Sequence, residues 1–162
     1  PPERSLAAMA AQRGVHVQAL ASDLMLENEG RGILNRPIIN YADGDLEAAR
    51  TMIEHPNTLM GLGDGGAHVG LICDSSSTTT MIAHWTRDRT RGGRLPLGFV
   101  IRRLTRDNAA AIGLHDRGVI APGMRADINV IDCGRLGGEL PQVFRQLPAG
   151  CKRVRESATR YE

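Results

Sequence analysis

The stretch from Ile38 to Gly63 constrains this chain most, because it reads as strand, helix and strand in succession. "ILNRPIINY" carries a short apolar run in which Pro37 limits pairing to the second half. "GDLEAARTMIEH" follows, with Leu46, Ala49, Met52 and Ile53 at helical spacing, Asp43 as the N-cap and Pro56 as the stop. "TLMGLG" is then a short apolar run of the kind that fills a buried parallel strand. Two strands joined by a helix within about 25 residues make a βαβ unit, which commits the chain to a parallel sheet. In such sheets ligands sit beyond the carboxyl ends of the strands. The residue immediately after the second strand is Asp64.

Asp64 lies in "GLGDGGAHVG", residues 61–70, where five glycines surround one acid and one imidazole, His68. Glycine is costly in backbone entropy, so such a cluster marks unusual dihedrals or the close approach of a ligand or second chain segment. A plain strand-to-helix turn with Asp64 as its N-cap explains the same residues, and His68 reads equally as a loop histidine. Gly61, Gly63 and Gly66 have the GxGxxG form, but no helix plainly starts there. The acid about 20 residues on, Asp88, lies in a basic cluster and not at a strand end, which argues against a dinucleotide site. Cys73 as a nucleophile lacks an evident partner beyond His68.

Elsewhere the pattern is helical, then β. Ser5 caps a helix running to Arg13 that Gly14 ends, and "HVQALASDLMLEN" is a second helix ending at Gly30. "STTTMIAHWTRDR" and "PLGFVIRRLTRDNAAAIGL" are further helices, the latter bent near 105–108, with His84 and Trp85 packing a helix face. "RGVIAPGMRADINVID" reads as two β segments about a Pro-Gly turn, and the tail "GCKRVRESATRYE" as mostly irregular. Lys and Arg outnumber Asp and Glu by only 20 to 18, too small a bias for a nucleic-acid partner. "RDRTRGGR" interleaves acids and has no aromatics for base stacking, so it is a solvated surface or a contact for a substrate carboxylate. Cys73, Cys133 and Cys151 form no CxxC and cannot all pair, which points to a reduced, cytoplasmic compartment. No apolar run approaches membrane-spanning length, so no membrane partner is expected.

"HPNTLMGLGDGGAHVGLICD", "HWTRDR", "LTRDNAAAIGLHDRGVIAPGMRADINVID" and "LPAGCKRV" resemble, in this order, the carboxyl-terminal part of the N-acyl-D-amino-acid deacylases of the amidohydrolase superfamily. The resemblance runs from about Ile38 to the end. It implies an α/β fold: the last strands and helices of a TIM-like metal-dependent barrel over residues 1–113, then C-terminal β segments of a small β-sandwich over 114–162. Ile38 to Asn40 would be the seventh strand, Asp45 to His55 its helix, and Thr58 to Gly63 the eighth strand. Asp64 then matches the family's catalytic aspartate and a metal position, and His68 a residue that binds substrate or orients the loop. Arg87 or Arg89 would pair with a substrate carboxylate, since guanidinium and carboxylate match as a bidentate pair.

Zinc is implied, with most of its ligands on earlier strands. The histidines here, His16, His55, His68, His84 and His115, contain no H-x-H. A complete barrel takes about 250 residues, so the 162-residue chain reads as a fragment of a larger polypeptide or as one copy in a homo-oligomer. The implied activity is hydrolysis of the amide bond, a non-peptide C–N bond, of a small-molecule N-acyl-D-amino acid. The alternative is a non-catalytic truncated module acting through self-association or docking on a partner.

Overall fold

Ser5 Oγ accepts a hydrogen bond from the Ala8 N–H at 3.2 Å and so starts helix α1, Leu6–Arg13. Gly14 ends it in the left-handed conformation, φ 65°, which only glycine adopts without steric cost. His16 caps α2, Val17–Gly30, through Nδ1, and the helical path breaks at Glu27, Asn28 and Glu29. These elements belong to the first of two units, Pro1–Pro37 and Ile38–Glu162. Ala10 and Leu20 are its buried side chains. The computed structural model describes residues 2–36, 39–41 and 43–159.

In the second unit α3 spans Glu47–Glu54. Its start is held by Asp45, whose Oδ1 accepts the Glu47 N–H at 2.9 Å, two residues later than the expected cap at Asp43. The expected apolar face is inward for Ile53, Leu46 and Ala49, whereas Met52 is largely exposed. Helix α4, Ser77–Ala83, runs into a wider π-type turn at His84–Asp88. Helix α5, Leu97–Arg102, passes through a second π-type turn, Arg103–Asp107, into α6, Asn108–Ala111. That second wide turn falls where the sequence suggests a bend. Ile53, Ile82, Trp85, Leu95, Val100 and Leu136 form the core. Trp85 is thus a core residue, in keeping with the packing role read from its helix face.

The strands differ from expectation. Among the described residues, 58–63 pairs with no other strand, and 39–41 is not a strand. Pro37 and Ile38 of the expected seventh strand lie outside the described residues. The physical reason is visible in the partners of the 58–63 backbone. A strand needs a neighbouring ladder for its N–H and C=O groups. Here side chains stand in: Arg103 Nη2 donates to the Thr58 carbonyl, and Asn108 Nδ2 donates to the Met60 carbonyl at 2.9 Å.

Nor do residues 119–130 form strands; of the β segments expected about Pro122 and Gly123 only Ile131 makes a β-bridge. Two short antiparallel pairs form later instead. Strand β1, Gly137–Gly138, pairs with β4, Ala158–Thr159. Strand β2, Gln142–Phe144, pairs with β3, Arg153–Arg155, in the register Val143 opposite Val154. The tail read as irregular therefore supplies two of the four strands among the described residues. Weak periodicity in strands of two or three residues leaves little pattern to read. What the described residues show is a mixed α/β arrangement. No described helix is long and apolar enough to cross a membrane. Cys73, Cys133 and Cys151 are free thiols.

Candidate active site

The glycines of the Asp64 loop answer to a second chain segment. An added Cβ at Gly63 would sit far inside van der Waals distance of the Asp74 carbonyl oxygen. One at Gly65 would lie 2.7 Å from Ser75 Cβ and 2.8 Å from Ser75 Cα. Residues 63–65 thus press against 74–75 with no room for side chains. The contact is fastened by a hydrogen bond from the Asp64 N–H to Asp74 Oδ2, 3.0 Å. The loop turns through the Ala67 N–H donating to the Asp64 carbonyl at 2.9 Å. His68 then adopts a left-handed φ of 46°, uncommon for a residue with a Cβ. Its carbonyl accepts from the N–H groups of Leu71 and Ile72. Val69 completes the loop by accepting the Val154 N–H of β3 at 2.7 Å.

Asp64 and His68 therefore share one loop, and both side chains are exposed. The Asp64 carboxylate takes no hydrogen bond or ion pair from the described residues, so it is not spent on capping its own turn. Arg87 and Arg89 are committed elsewhere. Arg87 donates to the carbonyls of Cys133 at 2.6 Å, Gly134 at 3.1 Å and Leu136 at 2.7 Å, and pairs with Asp88. That hydrogen-bonded pair holds the Asp88 carboxyl below the usual carboxylate range. Arg89 is buried, pairs with Glu47, and stacks 4.4 Å over the Trp85 ring. Its Nη1 has no partner. Neither arginine bonds to the Asp64 loop among the described residues.

Asp74 carries no motif signal beyond its place at the head of "DSSSTTT", yet it organises the loop. The Cys73 thiol is pushed up by burial and then by Glu156 and Asp74, which leaves it a poor nucleophile at neutral pH. Beside the loop a cavity of about 400 Å³ is lined by Asp74, Ser76, Met81, Trp85, Leu104 and Glu156 among others. Glu156 lies some 90 residues from Asp64 in sequence, within a tail of weak pattern, so only tertiary contact reveals it.

The sequence pattern of the amidohydrolase family matches residues 2–149. Its members are typically metal-dependent. A catalytic zinc takes about three protein ligands, and no group of three or more His, Cys, Asp or Glu side chains able to hold a metal occurs among the described residues. The described residues thus do not fit a metal centre by themselves. Among curated proteins, an adenine deaminase of Cereibacter sphaeroides is 51% identical over 51 residues, which is 32% of this chain and 9% of that relative's length. No solved structure matches. With the family pattern extending over most of its length, the chain belongs to the amidohydrolase family.

Proposed function

We propose that this chain is part of an enzyme that hydrolyses the amide bond of N-acyl-D-amino acids, with Asp64 moving the proton. As water attacks the amide carbonyl, the Asp64 carboxylate takes its proton. As the C–N bond breaks, the same group hands the proton to the leaving nitrogen, giving a carboxylic acid and a D-amino acid. One observation carries the reading: Asp64 is fixed at its backbone by Asp74 yet unpartnered at its carboxylate. That combination suits a general base, because the backbone is steadied while both carboxylate oxygens stay open to the substrate and its water. His68, four residues on, enters this reading through the resemblance, as a contact for substrate or a brace for the loop. Arg87 or Arg89 is kept as the partner of a substrate α-carboxylate through the resemblance alone, since Arg87 is tied to backbone carbonyls and Asp88 and Arg89 is buried against Glu47 and Trp85. Zinc belongs to this reading through the resemblance, with Asp64 at one metal position and most of its ligands outside this chain.

A second reading, deamination of adenine, is favoured by the short match to the adenine deaminase of Cereibacter sphaeroides. Incubating the whole protein with N-acetyl-D-methionine, its L enantiomer and adenine separates the two. Release of D-methionine alone supports the deacylase, and ammonia from adenine alone supports the deaminase. Asp64→Asn lowers kcat about 10²- to 10⁴-fold, the usual range for a general base, with metal content unchanged. Turnover by Asp64→Asn at the wild-type rate refutes the proton role. A discrete oligomer without turnover on any of the three favours the self-associating module.

A further inference from the structure

The cavity beside the Asp64 loop is not used by the proton transfer, and its wall has a specific chemistry. Met60, Met81, Trp85 and Leu104 supply apolar surface, while the carboxylates of Asp74 and Glu156 supply negative charge. Neither acid forms an ion pair with a described arginine or lysine. Asp74 spends Oδ2 on the Asp64 N–H, which leaves Oδ1. Both acids lie close enough to Cys73 to act on its thiol.

Ser76 gives an independent sign of a missing partner. It is 4% exposed, lines the cavity, and its Oγ has no hydrogen-bond partner. Buried hydroxyls without partners are uncommon and costly. The position a Gly138 Cβ would occupy is 3.0 Å from Glu156 Oε1 and 3.7 Å from Ser76 Oγ. Carboxylate and hydroxyl therefore border one spot, and a glycine keeps it open.

An apolar wall with acceptors from Asp74, Glu156 and Ser76 matches an alkyl stem ending in a primary ammonium group, which has three N–H donors. Resting on the deacylase reading, we propose that this cavity binds a primary alkylammonium group and selects N-acyl-D-amino acids whose side chain ends in one. A carboxylate-ended side chain is rejected by like charge, and a neutral alkyl chain leaves both acids unpaired.

The test measures binding of n-hexylammonium and n-hexanol to the full chain by calorimetry. Hexylammonium binds at least tenfold more tightly than hexanol. Glu156→Gln, nearly isosteric, removes that preference while leaving hexanol affinity and the Trp85 emission spectrum unchanged, and Ser76→Ala weakens hexylammonium alone. Equal affinity for the two probes, or a Glu156→Gln protein that keeps the tenfold preference, overturns the ammonium site. Turnover of Nα-acetyl-D-lysine, compared with N-acetyl-D-norleucine, reports separately on the deacylase. Turnover without hexylammonium binding sinks the cavity proposal alone; hexylammonium binding with no acylamino acid turned over supports the ammonium site and removes only the hydrolase reading.

Discussion

Arg103 tests how the run into Asp64 is held. Arg103 is buried, 5% exposed, yet it reaches from the π-type turn after α5 to the start of that run. Nη2 donates to the His55 carbonyl at 3.2 Å, the Thr58 hydroxyl at 2.8 Å and the Thr58 carbonyl, and Nη1 pairs with Asp107 at 3.5 Å. Arg103→Leu takes the donor from the Thr58 carbonyl, while the His55 carbonyl keeps the Thr58 N–H and hydroxyl. Each hydrogen bond to a charged group contributes about 1.5–3 kcal/mol. Removing the guanidinium also relieves its desolvation and its unpartnered Nε. We therefore expect a net loss of about 2–4 kcal/mol. Arg103→Lys keeps the charge but not the fork, so one ammonium cannot serve all the acceptors, and about half of the loss remains. Urea unfolding followed by Trp85 fluorescence reads both variants, since Trp85 is buried in the same core. An Arg103→Leu protein within about 0.5 kcal/mol of wild type would show that solvent or another group satisfies Thr58, and that Arg103 is not the clamp.

Three further outcomes follow from the same geometry. Gly63→Ala costs about 1–3 kcal/mol by overpacking, because the Asp74 backbone cannot yield, and it speeds hydrogen exchange at the Asp64 amide; Gly61→Ala, with open space around it, is the silent control. Leu136→Ala, at a fully buried core position, costs about 2–5 kcal/mol and is read as a lower unfolding midpoint with an unchanged denaturant slope. Burial, then the Arg89 guanidinium, pushes the His84 imidazole below its ordinary 6.5, against a smaller upward pull from Asp88. The folded state thus favours the neutral ring, so this stability is fully present above pH 6.5 and is lost as the pH falls from there through the folded value. His84→Gln flattens urea stability against pH in that window, and an unaltered slope refutes the assignment.

The sequence by itself determined what depends on near neighbours. Ser5 and Gly14 bound α1 because a cap hydroxyl and a left-handed glycine act within one turn. The face of α3 was legible from spacing, though Met52 points outward because only part of that face meets the core. The glycines around Asp64 correctly announced a close approach, but not its partner: that Gly63 meets Asp74 and Gly65 meets Ser75 depends on a loop closing on itself. The parallel strands were read from apolar runs, and among the described residues 58–63 finds side chains of Arg103 and Asn108 in place of a ladder. Pairing is a property of two segments, and a run of apolar residues specifies only one of them. For the same reason Glu156 and Ser76 entered the candidate site only in three dimensions, where charge and hydroxyl from distant segments line one cavity.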